Sequence, residues 1–199
     1  MAVIIERVAR FILYEAPAYL LRILGKGTVL VDPSLLVADC NNCAALCCVS
    51  LAFDRSDDFP IEKPNGVPCP QLGERNQCKI YETREQEGYR GCCHYDCHGA
   101  GQRVTQEVFK GRSWRTEPQL LGDMTSAFVI MLRVHGLLEL LQAASQLPLT
   151  DEEQVVYDGL LVDLNPVDGW SEDKLEAFEG QGTEKRVRAF LMSLRHHVA

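Results

Sequence analysis

All nine cysteines of this 199-residue chain lie between Cys40 and Cys97: CNNCAALCC at 40–48, single residues at Cys69 and Cys78, and CCHYDCH at 92–98. Thiolates bind zinc and iron strongly, and close pairs followed by distant returns let a loop wrap around an ion. The spacing therefore points to metal ligation. Disulfides are the competing reading, and they need an oxidising compartment. The start MAVIIERVARFILYE carries Glu6, Arg7, Arg10 and Glu15 where a secretory leader needs an unbroken apolar run. An odd cysteine count also leaves one thiol unpaired. Inert buried thiols are the third possibility.

Adjacent cysteines constrain the number of metals. Neighbouring side chains diverge and rarely reach two corners of one tetrahedral site, so Cys47 and Cys48 suggest two metals or one bridged cluster. Eight thiolates would fill two four-cysteine zinc sites, a four-iron cluster beside one zinc site, or a larger bridged centre. Cys93 is then the surplus thiol, because Cys92 and Cys97 frame their turn more symmetrically with the earlier pairs. His94 and His98 are possible substitutes for thiolates. Asp96 reads more simply as a solvated turn carboxylate than as a ligand or a group orienting a histidine. Cys43 and Cys47 stand four apart, so a helical turn through AAL would place both sulfurs on one face. The order C-x2-C-x3-C in Cys40, Cys43 and Cys47 reverses that of radical iron–sulfur enzymes, whose barrel would not fit this length. Spacing alone leaves zinc and iron both open.

The elements that must position these thiols read as mainly α: a helical domain with an irregular, metal-organised cysteine-rich loop region. The whole chain, 1–199, reads as a single domain, with an N-terminal helix and lead-in (1–39), the cysteine-cluster region (40–102) and a helical region (103–199). Residues 3–24 have apolar positions at helical spacing, interrupted at Pro17 and ended by Gly25. That helix packs on another, or lies on a membrane surface with its arginines outward. Residues 26–39 lead in extended form to Cys40. Four prolines (Pro60, Pro64, Pro68, Pro70) limit regular structure from Ser50 to Gln77, and with little apolar surface there, ligation would supply much of the ordering free energy. HGAGQ gives a tight turn, its glycines letting backbone N–H groups approach the sulfurs. Thr105 to Lys110 forms a short helix stopped by Gly111.

Glu117 to Gln146 carries a wide apolar face including Leu121, Met124, Phe128, Met131, His135 and Leu138, which belongs at the centre of the core. His135 there reads as a core histidine satisfied by a neighbouring carbonyl. Thr150 with Glu153 is a capping box for a helix to about Leu164, and Ser171 caps another ending near Gly180. Thr183 opens a last helix with Val187, Phe190, Leu191 and Leu194 inward. His196 and His197 read as an exposed tail, and Trp114 and Trp170 as ordinary packing.

The formal charge of -8 and pI near 5.1 exclude the basic footprint of a nucleic-acid binder. The apolar stretch Leu120 to Leu147 is broken by Asp123, Arg133, His135 and Glu139, so no transmembrane segment is expected. The composition suits a cytoplasmic protein, and a protein partner is compatible with it.

CNNCAALCC, PCPQL around Cys69 and CKIYETR from Cys78 resemble the bacterial YkgJ-like zinc- or iron-chelating cysteine-cluster family. GYRGCCHYDCHGAGQ is similar to cysteine-rich N-terminal regions attached to bacterial pentapeptide-repeat proteins, although no pentapeptide repeat is present. The resemblance covers about Cys40 to Trp114. It implies Cys40, Cys43, Cys47, Cys48, Cys69, Cys78, Cys92 and Cys97 as ligands of an iron–sulfur cluster, of zinc, or of both. Two departures stand out: three residues, AAL, precede the vicinal cysteines where the family has two, and Cys93 exceeds the expected eight.

Three functions follow. The first is a metal-binding protein whose centre serves redox chemistry or is presented to a partner. The second is an iron–sulfur-dependent enzyme, as in the related clusters of some flagellin lysine methylases, with Tyr81, Tyr95, Asp96 or His98 for acid–base work. The third is an interaction module pinned by structural zinc. No nucleophile–base pair or full dinucleotide fingerprint supports a particular reaction.

Overall fold

Residues 121–144 contain no proline and are rich in Leu, Met and Ala, so a long helix is favoured by propensity alone. In the computed structural model, which describes residues 32–198, they form the central helix of a mainly α protein. The helices are α1 (Leu46–Ser50), α2 (Arg90–His94), α3 (Ala100–Arg103), α4 (Leu121–Ala144), α5 (Asp151–Leu164), α6 (Glu172–Gly180) and α7 (Thr183–Ser193). The N-terminal helix expected over residues 3–24, and with it the membrane-surface contact, lies outside the described residues.

Helix α4 packs against α1, α3, α5, α6 and α7. Met124, Phe128, Met131, Val134, His135, Leu138 and Leu141 along it are fully buried. By length and composition the span Pro118–Ala144 would suffice to cross a bilayer, but over half of its most apolar window is covered by the rest of the protein, as in a core helix. One set of buried side chains runs from Leu36 to Leu194.

Both expected caps are present. Thr150 Oγ1 accepts the Glu153 N–H while Glu153 accepts the Thr150 N–H, and Ser171 Oγ accepts from Lys174. The expected helix at Thr105–Lys110 differs from what forms. HGAGQ is not a free turn: Gly99, in the left-handed region at φ +81°, starts α3 at Ala100, and the chain continues into a π turn over Val104–Val108. Thr105 Oγ1 donates to the Gly101 carbonyl, one turn back, and the turn ends at Lys110 and Gly111, both at positive φ. A side chain at Gly99 would place its Cβ 2.2 Å from the Leu35 carbonyl oxygen, so only glycine fits there.

From Leu51 to Tyr89 the chain is irregular apart from a 3-10 turn at Tyr81–Thr83; Phe53 bridges Lys63 and Leu72 bridges Cys78. This loop has apolar support of its own, contrary to expectation. Phe53 and Phe59 stack at 4.1 Å, Tyr89 meets both rings edge-on at 6.5 Å, and Gly91 lets backbone lie on Phe59. Three aromatics spread over 37 positions leave no periodic trace in the sequence, which is why the satellite core is invisible there.

Because Leu138 is fully buried on α4, Leu138→Ala should lower unfolding free energy by about 2–5 kcal/mol, read from the urea midpoint at unchanged slope.

Candidate metal centre

The first cysteine motif hangs from α3 and its π turn. Gln102 accepts the Asp39 N–H at 2.8 Å and donates to the Val37 carbonyl at 2.7 Å, and Gln106 donates to the Asn42 carbonyl at 2.8 Å. Thr105 Oγ1 accepts the Ala44 N–H at 3.0 Å, and the Trp114 indole donates to the Ala44 carbonyl at 2.7 Å. These bonds hold Cys40 and Cys43 in extended or 3-10 backbone rather than in a helix. Residues 43–47 are accordingly not the helical turn expected. Ala45 is left-handed at φ 57°, and α1 begins only at Leu46. That geometry aims the N–H groups of Ala45 and Leu46 at Cys43 Sγ. Gln71 and Ile80 direct the same kind of bond at Cys69 and Cys78, each from two positions on. Such donors stabilise thiolate over thiol.

The later motifs reach the same place by other anchors. Cys69 N–H donates to the Cys48 carbonyl at 2.9 Å, and Lys79 to the Gln71 carbonyl at 2.8 Å, closing a loop that sets Cys69 beside Cys78. Arg84 donates to the Cys92 carbonyl at 3.1 Å. His135 on α4 binds the His98 carbonyl through Nδ1 and so secures the turn after Cys97. A carbonyl only accepts, so Nδ1 carries the proton and buried Nε2 is left without a partner. Burial lowers the His135 pKa to about 4, as befits the core histidine expected.

The eight thiols act on one another in two overlapping sets, with Cys40 influenced by both Cys97 and Cys48. Cys43 lies near Cys97 and Cys40, and Cys47 near Cys43 and Cys97. Cys92 lies near Cys48, Cys69 and Cys78. Cys47 and Cys48 join the sets with their sulfurs 4.0 Å apart, so the adjacent side chains diverge less than expected. Cys93 is exposed, and its S–H points at the Tyr89 carbonyl at 3.7 Å. Among the described residues no three sulfurs lie within 4.8 Å of one another, so the quartets are wider than the roughly 3.8 Å edge of a tetrahedron with 2.3 Å zinc–sulfur bonds.

Charge distinguishes the two groups. Burial pushes Cys43 and Cys92 up to about 11, and raises Cys40, Cys69 and Cys78 as well. Cys47, donating to Cys48, is raised, whereas Cys48 is lowered by that bond and then by Lys63, Arg115 and Arg84. Lys63 is 2% exposed, and its ammonium donates to the carbonyls of Val49, Pro64 and Val67 at 3.2, 3.1 and 2.9 Å. Burial lowers its pKa, opposed by Cys69, Cys48 and Cys47. A buried ammonium surrounded by carbonyls and thiols is compensated when those thiols ionise.

The donor set fits a metal on three observations: N–H groups aimed at sulfurs, the Lys63 cation beside them, and the backbone cradle at Gly101. A Cβ on Gly101 would sit 2.6 Å from Cys43 Sγ, so α3 approaches the sulfur as only glycine permits.

The remaining candidates are less suited to chemistry. Asp96 Oδ1 accepts the His98 N–H at 2.7 Å in a solvent-exposed turn, and the Arg84 guanidinium lies 3.8 Å from the Tyr81 ring centre. Burial, then nearby Cys47, raises the Tyr95 phenol well above its ordinary value. His98 Nε2 lies 3.4 Å from Glu139, and His94 is exposed. Trp114 and Trp170 are both buried, as expected of packing residues. Lys63 is the site residue that sequence reasoning missed; a lone lysine among prolines carries no signal of burial.

Compared with known proteins, the chain is 41% identical over 109 residues to the uncharacterized protein YybG of Bacillus subtilis (strain 168). The match covers 55% of this chain and 39% of that relative, so the chain spans well under half of the relative's length. No family model matches, and neither does any solved structure.

Gly101→Ala should cost the Cys40, Cys43, Cys47 and Cys97 group its metal while helical circular dichroism is kept; full metal content in this variant would contradict the cradle. Because Cys43 and Cys92 hold their protons to about 11 in the metal-free protein, ligation must expel protons, and apparent metal affinity should rise with pH between about 6 and 9. Proton release recorded with an indicator dye during metal titration tests this, and a pH-independent affinity would contradict it.

Proposed function

We propose that this chain is a metal-binding protein whose eight thiols, Cys40, Cys43, Cys47, Cys48, Cys69, Cys78, Cys92 and Cys97, hold iron–sulfur or zinc in two quartets sharing the Cys47–Cys48 edge. The observation that carries the reading is the convergence of eight thiols from three distant motifs, with Cys93 pointing to a carbonyl outside them. The YkgJ-like resemblance of the motifs agrees with it. The exposed side of the centre, at Cys40 and Tyr95, suits redox exchange with a protein partner or presentation to one. Thiols kept reduced for ligation belong in the cytoplasm, and the charge of -8 speaks against a nucleic-acid partner.

Iron and zinc each satisfy four-thiolate coordination, and when bound they supply electron transfer or loop ordering respectively. Purification without air, followed by metal and acid-labile sulfide analysis, tests the reading. Brown protein with broad visible absorption and labile sulfide assigns iron–sulfur; colourless protein with zinc and no sulfide assigns zinc. Less than one metal per chain rejects the function.

A further inference from the structure

Of the two histidines near the C-terminus, His196 is exposed as its position in the sequence suggests, but His197 is not. A 3-10 turn over Leu194–His197 folds back onto the first turn of α5, and His197 retains only 10% side-chain exposure against Glu153. The ring nitrogens of His196 and His197 and a carboxylate oxygen of Glu153 lie within 4.8 Å of one another. The two rings address different oxygens. His197 Nε2 is 2.9 Å from Oε2, and His196 Nε2 is 3.5 Å from Oε1.

We propose that Glu153, His196 and His197 form a second metal site, independent of the thiols, for a zinc-class divalent cation such as zinc, nickel or cobalt. A simple ion pair with one carboxylate needs one imidazole; here two converge, their ring centres 4.0 Å apart. The supporting contacts also suit ligation. His196 Nδ1 lies 2.9 Å from the Ser193 carbonyl, which can only accept, so that nitrogen carries a proton and Nε2, on the carboxylate side, is the nitrogen that a cation would take. Glu153 is held in turn by the Thr150 N–H at 2.8 Å. At His197 the cation takes the place of a proton between Nε2 and Oε2. Imidazole ligands select borderline transition ions over magnesium or calcium, which prefer oxygen alone. Three protein ligands leave coordination positions open for water or a small ligand. Glu153 and Ser193 also line the groove of about 990 Å³ between α5 and α7, whose walls include Val155, Val156 and Phe190.

Equilibrium dialysis of the full-length, thiol-loaded protein against cobalt(II), with absorption spectra, tests the site. The expected result is one further equivalent of cobalt showing weak visible bands without near-ultraviolet sulfur charge transfer. His196→Ala combined with His197→Ala should remove that equivalent, and Glu153→Gln should weaken it about tenfold or more. The single variant His196→Ala, at a side chain 59% exposed, should weaken binding with no loss of helix content, which separates lost ligation from lost folding. Equal cobalt binding by wild type and double variant would overturn the site, as would extra cobalt appearing only with sulfur charge transfer. Failure of the thiol reading would leave this measurement unaffected.

Discussion

The seating of the Cys40–Cys48 segment on α3 is the contact on which the candidate centre depends. A run of nine residues containing four cysteines has no helical period of its own, so its backbone polar groups need partners elsewhere. Gln102, Thr105, Gln106 and Trp114 supply them, and Gly101 lets the helix backbone come against Cys43 Sγ. Helix α3 is placed by α4, and α4 by the apolar side chains that every later helix buries on it. The Cys40–Cys48 segment is thus attached through α3 to the central helix.

The two thiol groups differ in the charge around them. Cys48 has three cations acting on it, with Lys63 buried next to Cys48 and Cys69. On the other side Tyr95 lies near Cys47, Cys97 and Cys43, and Cys40 is influenced by Asp39 and, in the opposite sense, by Arg84. Positive charge favours thiolate over thiol, and Cys48 is the cysteine whose pKa is lowered, to about 7. The link at Cys47–Cys48 couples them: one sulfur holds a proton more firmly because its neighbour releases it more easily. Their sulfurs approach to 4.0 Å.

The helical half was legible because its signals are local. The capping box at Thr150 and Glu153, the cap at Ser171 and the broad apolar face of α4 each rest on residues within a turn or two of one another, and all are present. His135 was legible as a core histidine, although its carbonyl partner, His98, was not. The cysteine cluster was legible as a set of candidate ligands, and the left-handed Ala45 was not legible, since alanine carries no signal for positive φ. The early start of α3 at Ala100 was hidden because Gly99 and Gly101 read as a turn, while in space they answer to Leu35 and Cys43.

Residue type and short-range spacing by themselves determined that the chain is mainly α, that its cysteines are confined to residues 40–97, and where the later helices are capped. These depend on interactions between neighbours in the chain, whose geometry the backbone sets. Tertiary structure decided which thiols face one another, that Lys63 is buried among them, that Phe53, Phe59 and Tyr89 form their own small core, and that His196 and His197 close on Glu153. These bring together groups 6 positions apart, as in Phe53 and Phe59, and 54 apart, as in Cys43 and Cys97, and only tertiary packing sets distances of that kind.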